Sequence, residues 1–136
     1  MSAEDALMRF RAYIAAFNRG DFDAVTANYT DDVELVNGAG ARLVGKQAIV
    51  DFYHKVRADT DRTIEIVECF ADDDGVAADL KSEFVATRDA PDFPSGPMAK
   101  GDRLRINSFA LYTLRDGKFA QIKAGAHKRE WIRGES

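Results

Sequence analysis

The stretch Tyr13-Ile14-Ala15-Ala16-Phe17-Asn18-Arg19-Gly20-Asp21 carries the end of one helix and the start of another. Upstream of it, Leu7 and Phe10 join Ile14 and Phe17 at helical spacing, so one apolar stripe runs along a helix from about Ala3 to Arg19. Ser2 and Asp5 have the spacing of a capping box at its start, and Gly20 supplies the stop. Asp21 then caps a short second helix whose Phe22, Val25 and Tyr29 share a face. A brief strand, Val33 to Asn37, leads into the turn Gly38-Ala39-Gly40. A third helix follows Gly45, with Ile49, Phe52, Tyr53 and Val56 on one stripe.

From Arg62 onward the period changes from helical to two. Four β segments are expected: Arg62–Phe70, Val76–Arg88, Arg103–Arg115 and Lys118–Glu130. Asp72-Asp73-Asp74-Gly75 joins the first pair and Asp116-Gly117 the last, and a glycine in such a turn accepts positive φ without a steric penalty. Between the middle strands, Ala90-Pro91-Asp92-Phe93-Pro94-Ser95-Gly96-Pro97 holds all three prolines of the chain and excludes regular structure there. Helices first and a long meander afterwards describe an α+β fold, with the helices on one face of a mainly antiparallel sheet.

The chain has 136 residues, 46% of them hydrophobic and 31% charged, and reads as one domain over 1–136 without repeat or linker. Its net charge of −4 argues against a nucleic-acid partner, which requires a clustered basic face. No apolar run reaches the ~18–20 residues of a membrane span. The acidic start Ser2-Ala3-Glu4-Asp5 is unlike a signal peptide, and the single cysteine, Cys69, forms no internal disulfide. A reducing cytoplasm is the expected compartment.

The string Tyr13 to Asp21 resembles the first-helix motif of bacterial ketosteroid isomerases. So do Tyr29-Thr30-Asp31-Asp32-Val33 and Gly45-Lys46-Gln47-Ala48-Ile49-Val50-Asp51-Phe52-Tyr53, at nearly the same spacing, and a weaker likeness runs on to about Ala126. The resemblance points to the nuclear transport factor 2-like superfamily, which includes SnoaL-like polyketide cyclases, scytalone dehydratase and limonene epoxide hydrolase. It implies a cone, in which three N-terminal helices pack into a strongly curved sheet and enclose a cavity. It also implies a homodimer joined through the outer sheet face. The superfamily changes its chemistry freely on one fold, so the reaction does not follow from the likeness.

In the isomerases a first-helix tyrosine donates to the dienolate oxygen, one aspartate shuttles the proton, and a protonated aspartate is the second donor. By position the resemblance assigns the tyrosine to Tyr13, with Tyr29 and Tyr53 as supporting tyrosines. The shuttling aspartate is matched by Asn37 and the second donor by Asn107. A carboxamide is no general base, a role that typically contributes ~10²–10⁴-fold to rate. Steroid isomerisation by the family mechanism is therefore expected to be severely impaired. Asn107 still donates at any pH and would complete an oxyanion site with Tyr13. Each of these residues also has a plainer reading: the tyrosines as core, Asn37 as a turn cap, Asn107 as a ladder residue.

Alternation puts Arg103, Arg105, Asn107, Phe109 and Leu111 on one strand face. If Asn107 faces the cavity, Phe109 does too and Arg105 sits toward the mouth, where guanidinium suits an anionic group. Phe17, Phe52, Leu80, Phe84, Ile122 and Ala126 are expected to line the remainder, with Asp79, Lys81 and Glu83 outside. A one-residue slip would exchange the faces. His54 and His127 have no acidic partner at ligand spacing, so no metal or cofactor is implied. The resulting expectation is a small-molecule-binding cavity protein, an isomerase, cyclase, dehydratase or hydrolase acting on an apolar carbonyl-bearing substrate. The alternatives are a non-catalytic ligand-binding protein and a dimeric interaction module with an unused pocket.

Overall fold

A computed structural model describes residues 2–37 and 40–134. Helix α1 (Ala3–Asn18) starts where the Ser2 hydroxyl accepts the Asp5 N–H at 3.1 Å. Its buried face carries Ala6, Phe10, Tyr13, Ile14 and Phe17. Gly20 adopts a φ of 74°, which turns the chain out of the helix. The Asp21 carboxylate then accepts the Ala24 N–H at 3.1 Å and opens α2 (Phe22–Thr26). This second helix is a single turn, and Tyr29 is not on it: Tyr29 is the first residue of strand β1 (Tyr29–Asn37), opposite Phe119. A short β2 (Arg42–Val44), absent from the sequence pattern, pairs back onto β1, and α3 (Lys46–Asp59) follows Gly45. Gly38 and Ala39 of the expected turn lie outside the described residues.

The remaining strands are β3 (Thr60–Ala71), β4 (Gly75–Ala86), β5 (Arg103–Arg115) and β6 (Lys118–Ile132). They form one six-stranded sheet in the order β2-β1-β6-β5-β4-β3. Only the β1–β6 pair is parallel; the other neighbours are antiparallel. The two expected hairpin turns are present. Asp72 accepts the N–H groups of Asp74 and Gly75, while Asp116 and Gly117 take φ values of 53° and 76°. The register shifts between Ile66 and Glu68 in β3, and between Asn107 and Ser108 in the pairing of β5 with β6. Such bulges bend a strand and strengthen its twist. The sheet is accordingly curved but not closed, and the helices pack into its concave side.

The segment between β4 and β5 folds across one end of that concavity. Ala90 and Met98 form an isolated bridge, and Phe93 packs edge-on against Phe84 with ring centroids 5.3 Å apart. The buried Asp102 carboxylate accepts from the N–H groups of Ala99 and Gly134 and pairs with Arg133 at 2.9 Å. The proline-rich segment is therefore a packed cover. Among the described residues no helix is long and apolar enough to cross a membrane.

One side chain ties α1 to the sheet. The Asn18 carboxamide donates to the Ile64 carbonyl at 2.8 Å and accepts the Ile64 N–H at 2.7 Å. Ile64 lies on β3, the edge strand, so Asn18 occupies main-chain groups that have no neighbouring strand. Leaving both unsatisfied in a buried setting costs on the order of 1–3 kcal/mol per group. Asn18→Ala is expected to lower stability by about 2–3 kcal/mol in chemical denaturation. Asn18→Asp should not rescue it, because a carboxylate faces the Ile64 carbonyl without a proton to donate.

Candidate functional site

Between the helices and the concave sheet lies a cavity of about 190 Å³. Helix α1 contributes Tyr13, Ile14 and Phe17; α3 contributes Phe52, Tyr53 and Val56. Strand β4 presents Leu80, Ser82 and Phe84, and β6 presents Ile122, Ala124 and Ala126. These follow the expected alternation, with Asp79, Lys81 and Glu83 on the other face of β4. Asn37 lines the cavity at the end of β1, where its side-chain oxygen accepts the Ala41 N–H at 3.1 Å. Phe93 and Pro94 of the covering segment close one side.

The phenols form a buried cluster. The hydroxyls of Tyr13 and Tyr29 are 2.6 Å apart and share a hydrogen bond. Tyr29 is fully buried behind Tyr13 rather than in the cavity wall, so it acts on a ligand only through Tyr13. Tyr112 lies edge-on to Tyr13 with centroids 6.0 Å apart and lines the cavity itself. Burial, above all, pushes the ionisation of Tyr13, Tyr29, Tyr53 and Tyr112 upward, and mutual repulsion among the phenolates adds to it at Tyr13 and Tyr29. All four are neutral phenols at neutral pH.

Strand β5 departs from expectation. Its inward residues are Leu104, Ile106, Ser108, Ala110 and Tyr112, so Asn107, Arg105 and Phe109 lie on the outer face. The register with β4 is the reason: Ser108 pairs with the inward Leu80, and Asn107 with the outward Lys81. Asn107 therefore cannot donate into the cavity alongside Tyr13. Arg105 is held by Glu83 at 2.9 Å and Glu130 at 3.3 Å, and its hydrogen bond to Glu83 raises its pKa further. Phe109 stacks on His127 with centroids 4.1 Å apart, and His127 also meets Asp79 at 3.0 Å.

Another arginine occupies the cavity wall. Arg62 on β3 pairs with the inward Phe84 and shares a strand face with Ile64 and Ile66. An arginine in period with two isoleucines was the available signal. Its guanidinium lies 5.1 Å from the Phe17 ring centroid, 4.9 Å from Phe84 and 5.7 Å from Tyr53. One Nη donates to the Ser82 hydroxyl at 3.2 Å, while Nε is buried without a partner. Desolvation lowers its pKa, and the neighbouring tyrosines oppose the shift. Among the described residues the lining holds no carboxylate and no imidazole, and no group of three His, Cys, Asp or Glu side chains is placed to hold a metal. The wall can donate hydrogen bonds; it has no ordinary group with which to take a proton.

A family model described as a SnoaL-like domain matches residues 10–122. The chain belongs to that family. The fold agrees with solved structures that share it. A candidate polyketide cyclase from Xanthomonas campestris pv. campestris superposes with a TM-score of 0.81 at 24% identity over 92% of each chain. An LEH-like epoxide hydrolase of M. tuberculosis gives 0.73 at 16%, over 91% of this chain and 84% of its own. A protein from Catenulispora acidiphila with a ketosteroid isomerase-like fold, in complex with trimethylamine, gives 0.67 at 16%, over 85% and 82%. No curated protein matches the sequence.

This SnoaL-like domain carries four tyrosines in all, and every one is in the buried cluster. A phenol whose folded pKa is raised above the unfolded value of about 10 leaves stability unchanged below that pH. Above it the unfolded chain releases the proton first, and stability falls. No tyrosine should titrate near pH 10 in the folded protein. Tyrosinate absorbance is expected to rise in one cooperative step that coincides with loss of circular dichroism; a separate non-cooperative step near pH 10 would contradict this.

Proposed function

We propose that this SnoaL-like domain binds a small apolar molecule carrying a carbonyl oxygen and polarises that oxygen through Tyr13. On this reading it is a cofactor-independent enzyme of isomerase, cyclase, dehydratase or hydrolase type. The observation that carries the reading is the Tyr13–Tyr29 hydroxyl pair at 2.6 Å, buried beside a cavity lined mainly by apolar side chains. A neutral phenol supported by a second hydroxyl donates a strong hydrogen bond, and in a water-poor site such a donor stabilises charge developing on oxygen. The proton would move by water or by a group of the substrate, since Asn37 has no basic state. Phe17, Phe52, Tyr53, Leu80, Phe84, Ile122 and Ala126 would hold the apolar body. Ligand sites for drug-sized molecules run to ~300–1,000 Å³, whereas an engineered cavity of about 150 Å³ accepts benzene. One substituted ring suits about 190 Å³ better than a steroid does.

A second reading, a non-catalytic carrier of the same ligand, is favoured by the lack of a carboxylate or imidazole among the described lining residues. Infrared spectroscopy of bound cyclohexanone addresses the shared premise. Its carbonyl stretch should shift to lower wavenumber in the wild type and much less in Tyr13→Phe. If a substrate is turned over, the same substitution should cost about 10²–10³-fold in kcat. A carbonyl band identical in both proteins would end the role of Tyr13.

We also infer a homodimer formed through the outer sheet face, in a reducing cytoplasm compatible with the lone Cys69. Phe70, Phe109 and Leu111 are 66%, 60% and 57% exposed on that face, more apolar surface than an isolated chain needs. Leu111→Lys is expected to convert a dimer into a monomer in sedimentation equilibrium. A wild-type protein that already sediments as a monomer would overturn the inference.

A further inference from the structure

Resting on the reading of the cavity as a small-molecule site, we propose that it takes a single-ring carboxylate whose charged group is held by Arg62. Arg62 faces the cavity from β3 with aromatic rings on several sides, and its hydrogen-bond partners there are neutral hydroxyls, Ser82 at 3.2 Å and the Tyr53 phenol. Among the described residues it makes no ion pair, whereas on the outer face Arg103 and Arg105 both reach Glu83. The cluster of phenols supplies no counter-charge, because burial keeps each of them protonated.

A cation taken out of water without a partner is strongly unfavourable unless something neutralises it. Guanidinium presents five donors in a planar fork that matches a carboxylate. Here one donor is used by Ser82, and Nε is enclosed without an acceptor. A ligand carboxylate would supply both the missing charge and the missing acceptors. The apolar wall formed by Ile122, Ala124 and Leu80 would receive its ring. The size of the cavity limits the body to about one ring, and the aromatic surroundings of Arg62 disfavour a larger, heavily hydrated anion.

Isothermal titration of the full chain with benzoate and with its neutral isostere benzamide tests this. Benzoate should bind about tenfold or more tightly than benzamide, the factor expected of a charge-assisted hydrogen bond. Arg62→Met should remove that preference and leave benzamide binding nearly unchanged, while Arg62→Lys restores only part of it. The unliganded Arg62→Met protein should melt no lower than the wild type, since a half-buried cation without a counter-charge has been replaced by an apolar chain of similar length. A purely structural Arg62 would instead show a lowered melting temperature. Equal binding of the two probes, no binding of benzoate, or benzoate binding indifferent to Arg62→Met each overturns the proposal. If the variant does not fold, the wild-type preference for benzoate over benzamide decides alone. Cyclohexanone binding that depends on Tyr13, alongside benzoate binding that ignores Arg62, would remove this proposal and spare the carbonyl reading; the reverse pattern would do the opposite.

Discussion

The double hydrogen bond between the Asn18 carboxamide and the main chain of Ile64 sets the position of nearly everything inside the sheet. It anchors the C-terminal end of α1 to an edge strand, where backbone groups would otherwise compete for water or another strand. Toward its other end the helix packs through Phe10 and Tyr13 onto Tyr112 and Phe119 of the two long strands. A helix pinned at one end to an edge strand and packed at the other onto the two central strands spans the curved sheet, and the space left beside it becomes the cavity. Arg62 precedes Ile64 by two residues, so the strand pleat that presents Ile64 inward presents the guanidinium inward as well.

Charge is divided sharply between the two faces of the sheet. On the convex face, arginines and glutamates of neighbouring strands meet in partly exposed ion pairs, a kind worth about 0–1 kcal/mol each. On the concave face Arg62 stands among rings and hydroxyls, the exposed Arg129 joins the lining from β6, and the acids are absent from the described lining. The low dielectric strengthens any complementary charge that enters, just as it makes the uncompensated state unfavourable. Burial meanwhile holds the phenols in their neutral form, which keeps them as donors. The interior is thus suited to receiving electron density on oxygen, and poorly suited to withdrawing a proton from carbon.

Much of this was legible in the sequence because local and long-range signals agreed. The α1 stripe, the Ser2 and Asp21 caps, the two hairpin turns and the alternation of β4 all follow from side-chain period and turn chemistry. The signals failed where they conflicted. On β5, Phe109 and Leu111 lend apolar character to the face that also bears Arg105 and Asn107, and the opposite face is interrupted by Ser108. Only the pairing of Ser108 with Leu80 decides between them. Tyr29 followed a helical period with Phe22 and Val25, but the chain had already left its single helical turn. Arg62 was hidden by the general rule that arginines face water, a rule that the strand register overrides here by pairing Arg62 with the inward Phe84.

The pairing of β1 with β6 joins segments separated by most of the chain, and it is parallel. During synthesis, α1 and β1 emerge long before residues 118–132 exist, and their apolar faces then have no sheet to cover. Contacts of such separation fold slowly and leave early segments exposed in the meantime. The first third of the molecule is therefore the part most in need of protection by chaperones on the ribosome. A defect in the last strand would be felt there, as a completed chain that aggregates through its own beginning.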